Sequence, residues 1–205
     1  ENVLAVRVRN EGKNSRWYSG SGIYRHVFLT VTNPVYIEQW GVYITTPNVS
    51  ETSATINIQT SVVNEGQNLQ SLKLRTSILD AKNNIVAKTE TAISPSTNQS
   101  ITLSKPHLWS PESPYLYHAV SDILQGEKII DHVVTSFGVR SINITADKGF
   151  LLNGKPIELK GGCVHHDNGP LGSATIDRAE EGGVELLKRM GDNAVRPRQQ
   201  PPSIK

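Results

Sequence analysis

The chain lacks the features that mark several classes of protein. It has one cysteine, Cys163, among 205 residues, so an internal disulfide is excluded. No apolar run approaches the ~20 residues that a membrane-spanning helix needs, so no membrane partner is expected. The formal net charge is only +2, and basic residues do not cluster with aromatic ones, so nucleic acid is not an expected partner either. Cys163 itself is predicted to be a small buried residue of a strand, as unpaired cysteines usually are.

What the chain does have is a succession of short segments in which apolar and polar residues alternate. This alternation is typical of half-buried strands, and it occurs first at residues 3–9 and 26–31. Asn33-Pro34 then marks a predicted boundary, since proline interrupts a strand ladder. About seven more strands follow before residue 142, separated by turn residues. That number of strands in roughly 100 residues predicts an immunoglobulin-like β-sandwich, and the lack of a cysteine pair excludes the antibody type.

A hairpin and a short polar segment come next. Asn153-Gly154 predicts a type I′ turn, because both central residues of that turn need a positive φ. Shortly after it, His165, His166 and Asp167 follow a short apolar strand. Titratable residues at the carboxyl end of such a strand are where barrel enzymes place their chemistry.

The pattern changes from strand to helix in the last segment. Asp177 with Glu180 resembles a capping box, and Gly191 stands where a helix-ending glycine belongs. Between them, apolar residues recur at helical spacing at Val184, Leu187 and Met190. A short buried strand is predicted at 193–196. The order strand, loop, helix, strand predicts the first βα unit of a (β/α)8 barrel.

Four stretches of the chain, taken in order, carry a family resemblance. They are residues 16–25 with Arg16-Trp17-Tyr18, residues 108–117 with Leu108-Trp109-Ser110-Pro111, Phe137-Gly138-Val139-Arg140 with residues 149–167, and residues 188–203 with Asn193-Ala194-Val195-Arg196. Together they resemble the family two glycoside hydrolases, which include β-galactosidases, β-glucuronidases and β-mannosidases. The resemblance is strongest to the β-galactosidase type.

This resemblance implies three parts of a mainly β chain. Residues 1–32 would be the C-terminal strands of a jelly-roll sugar-binding-type domain, residues 33–142 the immunoglobulin-like sandwich, and residues 143–205 the start of a (β/α)8 catalytic barrel. The chain would then be a fragment of a retaining β-glycosidase that hydrolyses terminal β-galactosides. The alternative is a non-catalytic β-sandwich module that binds carbohydrate or acts as a spacer. An Asn-Glu pair and a second glutamate on later strands would decide for the enzyme.

Retaining hydrolysis needs two carboxyl groups about 5–5.5 Å apart. In the family the acid/base glutamate follows an asparagine on a later barrel strand. Here Asn10-Glu11 and Asn64-Glu65 fall in predicted surface turns, and no acidic residue after residue 143 matches either catalytic position. No catalytic residue is therefore assigned, and the 205-residue chain alone is predicted to be inactive.

The resemblance does assign substrate-binding residues. His166 matches the histidine that contacts the sugar after the first barrel strand, Asp167 the acidic residue behind it, and Arg196 the arginine that ends the second strand. Gln199 stands where the family has a second sugar-binding histidine. The ligand implied is a β-galactoside or a related oligosaccharide, while the exact sugar, the compartment and homo-oligomer formation stay open.

The remaining candidates surround this site. His165 is expected to lie behind His166. No metal site is predicted for the two histidines, because adjacent strand residues point to opposite faces and would not easily bind one ion. No cofactor is implied. Arg16 and Trp17 are predicted either to form the rim of the site or to pack between domains, and Trp109 is predicted to be a packing residue.

Overall fold

The computed structural model describes residues 3–9, 11, 22–23, 25–66, 68–164, 169–172, 174 and 176–197. The chain forms two compact units, one of residues 30–158 and one of residues 1–29 with 159–205. Among the described residues, no helix is long and apolar enough to cross a membrane. The predicted domain limits at residues 32 and 142 stay predictions.

The larger unit contains a β-sandwich of seven strands. The strands are β1 (Val35–Val49), β2 (Ser53–Asn64), β3 (Leu72–Leu79), β4 (Ile85–Ala92), β5 (Ser96–Ser104), β6 (Tyr117–Gln125) and β7 (Lys128–Phe137). They form a three-stranded sheet in the order β1-β2-β5 and a four-stranded sheet in the order β4-β3-β6-β7, with antiparallel neighbours. The predicted mainly β fold and sandwich are confirmed.

A polar layer divides the core of the sandwich. One apolar cluster contains Ile56, Ile58, Ile78 and Tyr117, and the other contains Val62, Leu72, Leu74 and Ile123. On each central strand a buried polar residue takes the inward position between the two clusters: Thr60 on β2, Thr76 on β3 and Ser121 on β6. Gln99 of β5 joins this layer, because the Thr76 hydroxyl donates to its Oε1 at 2.6 Å and its Nε2 donates to the Leu74 carbonyl oxygen at 3.0 Å.

A buried tyrosine ties the start of β6 to the connection before it. The hydroxyl oxygen of Tyr117 accepts a hydrogen bond from the main-chain N–H of His107 at 2.9 Å, and the side chain is almost wholly buried. A tyrosine bonded back to the main chain in this way is a hallmark of immunoglobulin-like sandwiches. Burial raises the pKa of the Tyr117 hydroxyl, and the hydrogen bond from His107 opposes that rise.

A small sheet follows the sandwich within the same unit. It consists of β8 (Ile142–Thr145), β9 (Gly149–Leu152) and β10 (Lys155–Pro156), paired in the order β10-β9-β8. Asn153 (φ 51°) and Gly154 (φ 76°) form the turn between β9 and β10, so the predicted Asn-Gly turn with two positive φ angles is confirmed.

The smaller unit contains a strand–helix–strand segment, as predicted. β11 (Gly161–Val164) is followed by a short 3₁₀ turn (Gly169–Leu171), by α1 (Asp177–Met190) and by β12 (Ala194–Pro197). Gly191 ends α1 in the left-handed conformation (φ 101°), as its position predicted. The N–H groups of Gly191 and Asp192 reach back to the carbonyl oxygens of Lys188 and Leu187, which satisfies the end of the helix.

The predicted capping box is wrong. Ile176 is the N-cap residue and makes no side-chain cap, while Asp177 is the first residue of the helix. Asp177 instead pairs through its Oδ1 with Nε2 of His26, at 3.1 Å. With Glu180 it places negative charge in the first turn, where the helix dipole favours it.

The strands predicted at residues 3–9 and 26–31 are also wrong. Both segments are without ladder hydrogen bonds, and their apolar side chains are exposed, for example Leu4 at 82% and Leu29 at 91%. Alternation identifies a segment with two different faces, but a strand also needs a neighbour to pair with, and the described part of the chain supplies none.

Candidate substrate site

The candidate site begins at the carboxyl ends of β11 and β12. These two strands pair in parallel, with Cys163 opposite Arg196 and Val164 opposite Pro197, so they end level with each other. Parallel strands joined by a helix are the unit from which catalytic barrels are built, and such barrels place their substrate contacts at this end of the strands.

The starts of both strands are fastened by one asparagine. Asn193 accepts the N–H of Lys160 on its side-chain oxygen at 2.8 Å, and its own N–H donates to the carbonyl oxygen of Lys160 at 2.9 Å. The strands then approach closely at Gly161, where a Cβ atom would overlap the carbonyl group of Ala194. A glycine is therefore required for this pairing.

Arg196 is the predicted binding residue that the structure describes. It lies on β12 and its side chain is exposed. Cys163, opposite it, is exposed as well, so the predicted burial of this cysteine is wrong. A strand is present at 194–197, but its predicted burial is wrong as well, because Val195 is 45% exposed. Strands of a parallel sheet are buried only when other elements cover both faces, and two strands alone do not provide that cover.

The other predicted site residues lie outside the described residues. They are His165, His166 and Asp167 after β11, Gln199 after β12, and Arg16 and Trp17 near the start of the chain. Their roles stay predictions. In sequence, His165 follows directly on β11, and Gln199 comes two residues after the end of β12 at Pro197.

Two described carboxylates of this unit, Glu181 and Glu185, are engaged by one arginine on α1. Arg178 donates to Glu185 at 2.8 and 3.1 Å and lies 3.1 Å from Glu181. The hydrogen bond from Arg178 and its positive charge lower the pKa of Glu185. A glycosidase acid needs the opposite, a carboxyl group with a raised pKa, so Glu185 is not suited to that role.

A cavity of about 720 Å³ lies in the sandwich unit. Its lining includes Ile44, Trp109, Phe137 and Arg140, and it contains no acidic residue. The Arg140 guanidinium stacks over the ring of Trp109 at 4.6 Å, and Gly138 packs against the ring, so Trp109 is a packing residue as predicted. A cavity without a carboxyl group cannot carry out retaining hydrolysis by its own side chains.

Across the described ranges, no three His, Cys, Asp or Glu side chains are grouped so that they could hold an ion.

The sandwich is also the part of the chain that a known family matches. The sequence profile described as glycosyl hydrolases family 2 matches residues 35–140, which is more than half of the 205 residues. The chain belongs to glycosyl hydrolases family 2. The predicted resemblance is thereby confirmed, and the matched range runs from the first residue of β1 to Arg140.

Relatives in this family cover nearly the whole chain. The β-galactosidase BoGH2A of Bacteroides ovatus is 41% identical over 209 residues, which include 98% of this chain and 25% of that protein. A β-glucuronidase of Formosa agariphila is 29% identical, over 96% of this chain and 23% of that protein. Among solved structures, a family 2 member from Bacteroides cellulosilyticus superposes with a TM-score of 0.91 at 45% identity, over 96% of this chain and 26% of that one. The chain thus spans about a quarter of the length of these relatives.

Proposed function

We propose that this chain is part of a retaining β-glycosidase that hydrolyses terminal β-galactosides. In this proposal residues 33–142 are the immunoglobulin-like middle domain and residues 143–205 open the catalytic barrel. The observation that carries it is the parallel pair β11 and β12, with level carboxyl ends and a helix between them, in a chain that belongs to family 2. The 41% identity to a β-galactosidase supports galactosides over the other sugars of the family.

The four residues after or at the ends of these strands would bind the sugar. His166 and Gln199 would hydrogen-bond its hydroxyl groups, because an imidazole and an amide can both donate and accept. Asp167 would accept from a sugar hydroxyl or orient His166, and the Arg196 guanidinium would donate to a sugar oxygen. None of them would supply the acid or the nucleophile, so they contribute binding, and the two glutamates would come from later barrel strands.

The test is hydrolysis of nitrophenyl β-glycosides by the protein encoded by the whole reading frame around these residues. We expect the β-galactoside to be cleaved with a higher kcat/KM than the β-glucuronide and the β-mannoside, and the 205-residue chain to cleave none of them. His166→Ala should reduce kcat/KM by a factor of ten or more, which is about 1.4 kcal/mol of lost transition-state binding. A whole protein inactive on all three substrates would contradict the proposal, as would activity of the short chain.

A further inference from the structure

The three-stranded sheet β1-β2-β5 has one charged residue, Glu38, which is exposed in the bulge of β1 between Ile37 and Val42. None of the residues paired in this sheet is charged. Its outward rows are formed by hydroxyl and amide side chains that face each other across the strands: Thr55 with Thr102, Asn57 with Ser100, Gln59 with Asn98, and Ser61 with Ser96. On β1, Tyr43 lies beside Gln59 and Thr45 beside Asn57, which extends the rows over all three strands.

The outward face of the four-stranded sheet β4-β3-β6-β7, in contrast, carries charged side chains. It carries the ion pair of Lys73 with Glu90, at 2.8 Å. It also carries Asp122, which accepts from Arg75 at 2.7 Å and lies 2.7 Å from Nδ1 of His132. Solvent-facing surfaces normally mix charges of both signs, as this sheet does. The lack of charge in the paired rows of β1-β2-β5, here called the neutral face, is therefore a local property and not a property of the whole domain.

This neutral face offers an aromatic ring and hydrogen-bonding groups in fixed positions. Tyr43 is 65% exposed. Two of the amides are held in place, since Nε2 of Gln59 donates to the Ser96 hydroxyl at 3.0 Å and the Ser100 hydroxyl donates to Oδ1 of Asn57 at 2.9 Å. The amide of Asn98 and the hydroxyl of Tyr43 make no hydrogen bond within the described part of the chain, so they are available to a ligand.

We propose that this face binds a neutral oligosaccharide. Amides and hydroxyls match sugar hydroxyl groups in both donating and accepting, and an exposed phenol ring packs against the apolar C–H face of a sugar. An anionic ligand is disfavoured because the paired rows contain no Lys or Arg. A protein partner is disfavoured too, because the core of a protein interface is largely apolar, whereas the outward rows of β2 and β5 from Thr55 to Ser61 and from Ser96 to Ser104 are polar.

Binding at this face would not depend on catalysis. It would hold a glycan chain on the sandwich whether or not the whole protein hydrolyses it. The test can therefore use the 205-residue chain itself, in which turnover is not expected. A failure here would leave the proposed hydrolase function untouched.

The experiment is a titration of the ¹⁵N-labelled chain with cellohexaose, xylohexaose, mannohexaose and a galactan hexasaccharide, followed by NMR. Hexagalacturonate serves as the acidic probe. We expect at least one neutral hexasaccharide to shift the amide signals of β1, β2 and β5, including the side-chain amides of Asn57, Gln59 and Asn98. Hexagalacturonate should shift none of them.

Variants then test the face directly. Tyr43→Ala should weaken binding about tenfold or more, which corresponds to about 1.4 kcal/mol. Gln59→Glu should also weaken binding, because it breaks the fixed amide and adds a charge. The matched control is Val134→Ala, an exposed residue on the outward side of the four-stranded sheet, which should leave the affinity unchanged. The proposal is overturned if no neutral hexasaccharide shifts these signals, if the shifts map to β3, β4, β6 and β7, or if Tyr43→Ala binds as well as the parent chain.

Discussion

The side-chain amide of Asn153 donates a hydrogen bond to the carbonyl oxygen of Trp109, at 3.0 Å. The oxygen of the same amide accepts the N–H of Ser141 at 3.0 Å, and the main-chain N–H of Asn153 donates to the Ser141 carbonyl at 2.9 Å. The asparagine of the hairpin turn therefore has two functions. It adopts the positive φ that the turn needs, and it fastens the hairpin both to Trp109, which precedes β6, and to Ser141, which follows β7.

Asn153→Gly should lower the free energy of unfolding by about 1–2 kcal/mol, because glycine keeps the turn but loses both side-chain hydrogen bonds. Urea denaturation measures this difference. The matched control is Asn83→Gly, since Asn83 also has a positive φ (64°) but its side chain makes no hydrogen bond in the described part of the chain. Equal effects of the two substitutions would show that the side-chain bonds of Asn153 do not stabilise the fold.

Thr60→Val should raise the free energy of unfolding by about 1 kcal/mol. The hydroxyl of Thr60 is wholly buried and has no hydrogen-bond partner among the described residues, and valine has nearly the same shape without the unpaired group. Thr76→Val is the control with the opposite sign, because the Thr76 hydroxyl donates to Gln99 at 2.6 Å. Both values can be read from thermal unfolding, and a destabilised Thr60→Val variant would refute the argument.

Tyr117→Phe should lower stability by about 1 kcal/mol at neutral pH and change its dependence on alkaline pH. Because burial raises the pKa of Tyr117 above its usual value of 10.0, the folded chain keeps this proton where the unfolded chain has lost it. The contribution of Tyr117 is thus complete below pH 10 and is lost as pH rises through the folded-state pKa.

The measurement for Tyr117 is the free energy of unfolding between pH 9 and 11, a range of about one unit on each side of a normal tyrosine pKa. The parent chain should lose more stability over this range than Tyr117→Phe does. Parallel curves for the two proteins would contradict the assignment of the effect to this hydroxyl.

Gly161→Ala should break the pairing of β11 with β12, because the new methyl group would overlap the carbonyl of Ala194. Hydrogen exchange of the amides in 161–164 and 194–197 reports this pairing directly. The neighbouring variant Gly162→Ala is the control, since a Cβ there meets no atom within 4 Å. If the two variants exchange alike, close approach at Gly161 is not what limits the pairing.

The sequence predicted the sandwich well because the alternation of buried and exposed residues is visible in the sequence of each strand by itself. In β5 every second residue from Thr97 to Leu103 is buried, and the residues between them are exposed. The turn at Asn153-Gly154 was predictable for a similar reason, since few residues adopt a positive φ. These are local properties, and a single segment is enough to reveal them.

Other features depend on partners that no single segment specifies. Residues 3–9 alternate as clearly as β5 does, yet they have no neighbouring strand among the described residues. The bulge in β1 between Ile37 and Val42, where Trp40 has a φ of 59°, depends on the close approach of Gly41 to the main chain of Glu38 and Ser61. Asp177 was predicted to cap α1, but it pairs with His26, which is 151 residues away in sequence.

The polar layer in the core also restricts the register in which the strands can pair. A strand that slips by one residue exposes its apolar side, but a slip by two residues keeps every side chain on its correct face and is harder to reject. In this sandwich a two-residue slip of β3 would move Thr76 away from Gln99 and would bring an apolar side chain against the Gln99 amide. The buried amide would then lose a partner, at a cost of roughly 1–3 kcal/mol. Gln99 and Thr76 therefore disfavour the shifted register of β3, although they interrupt the apolar core.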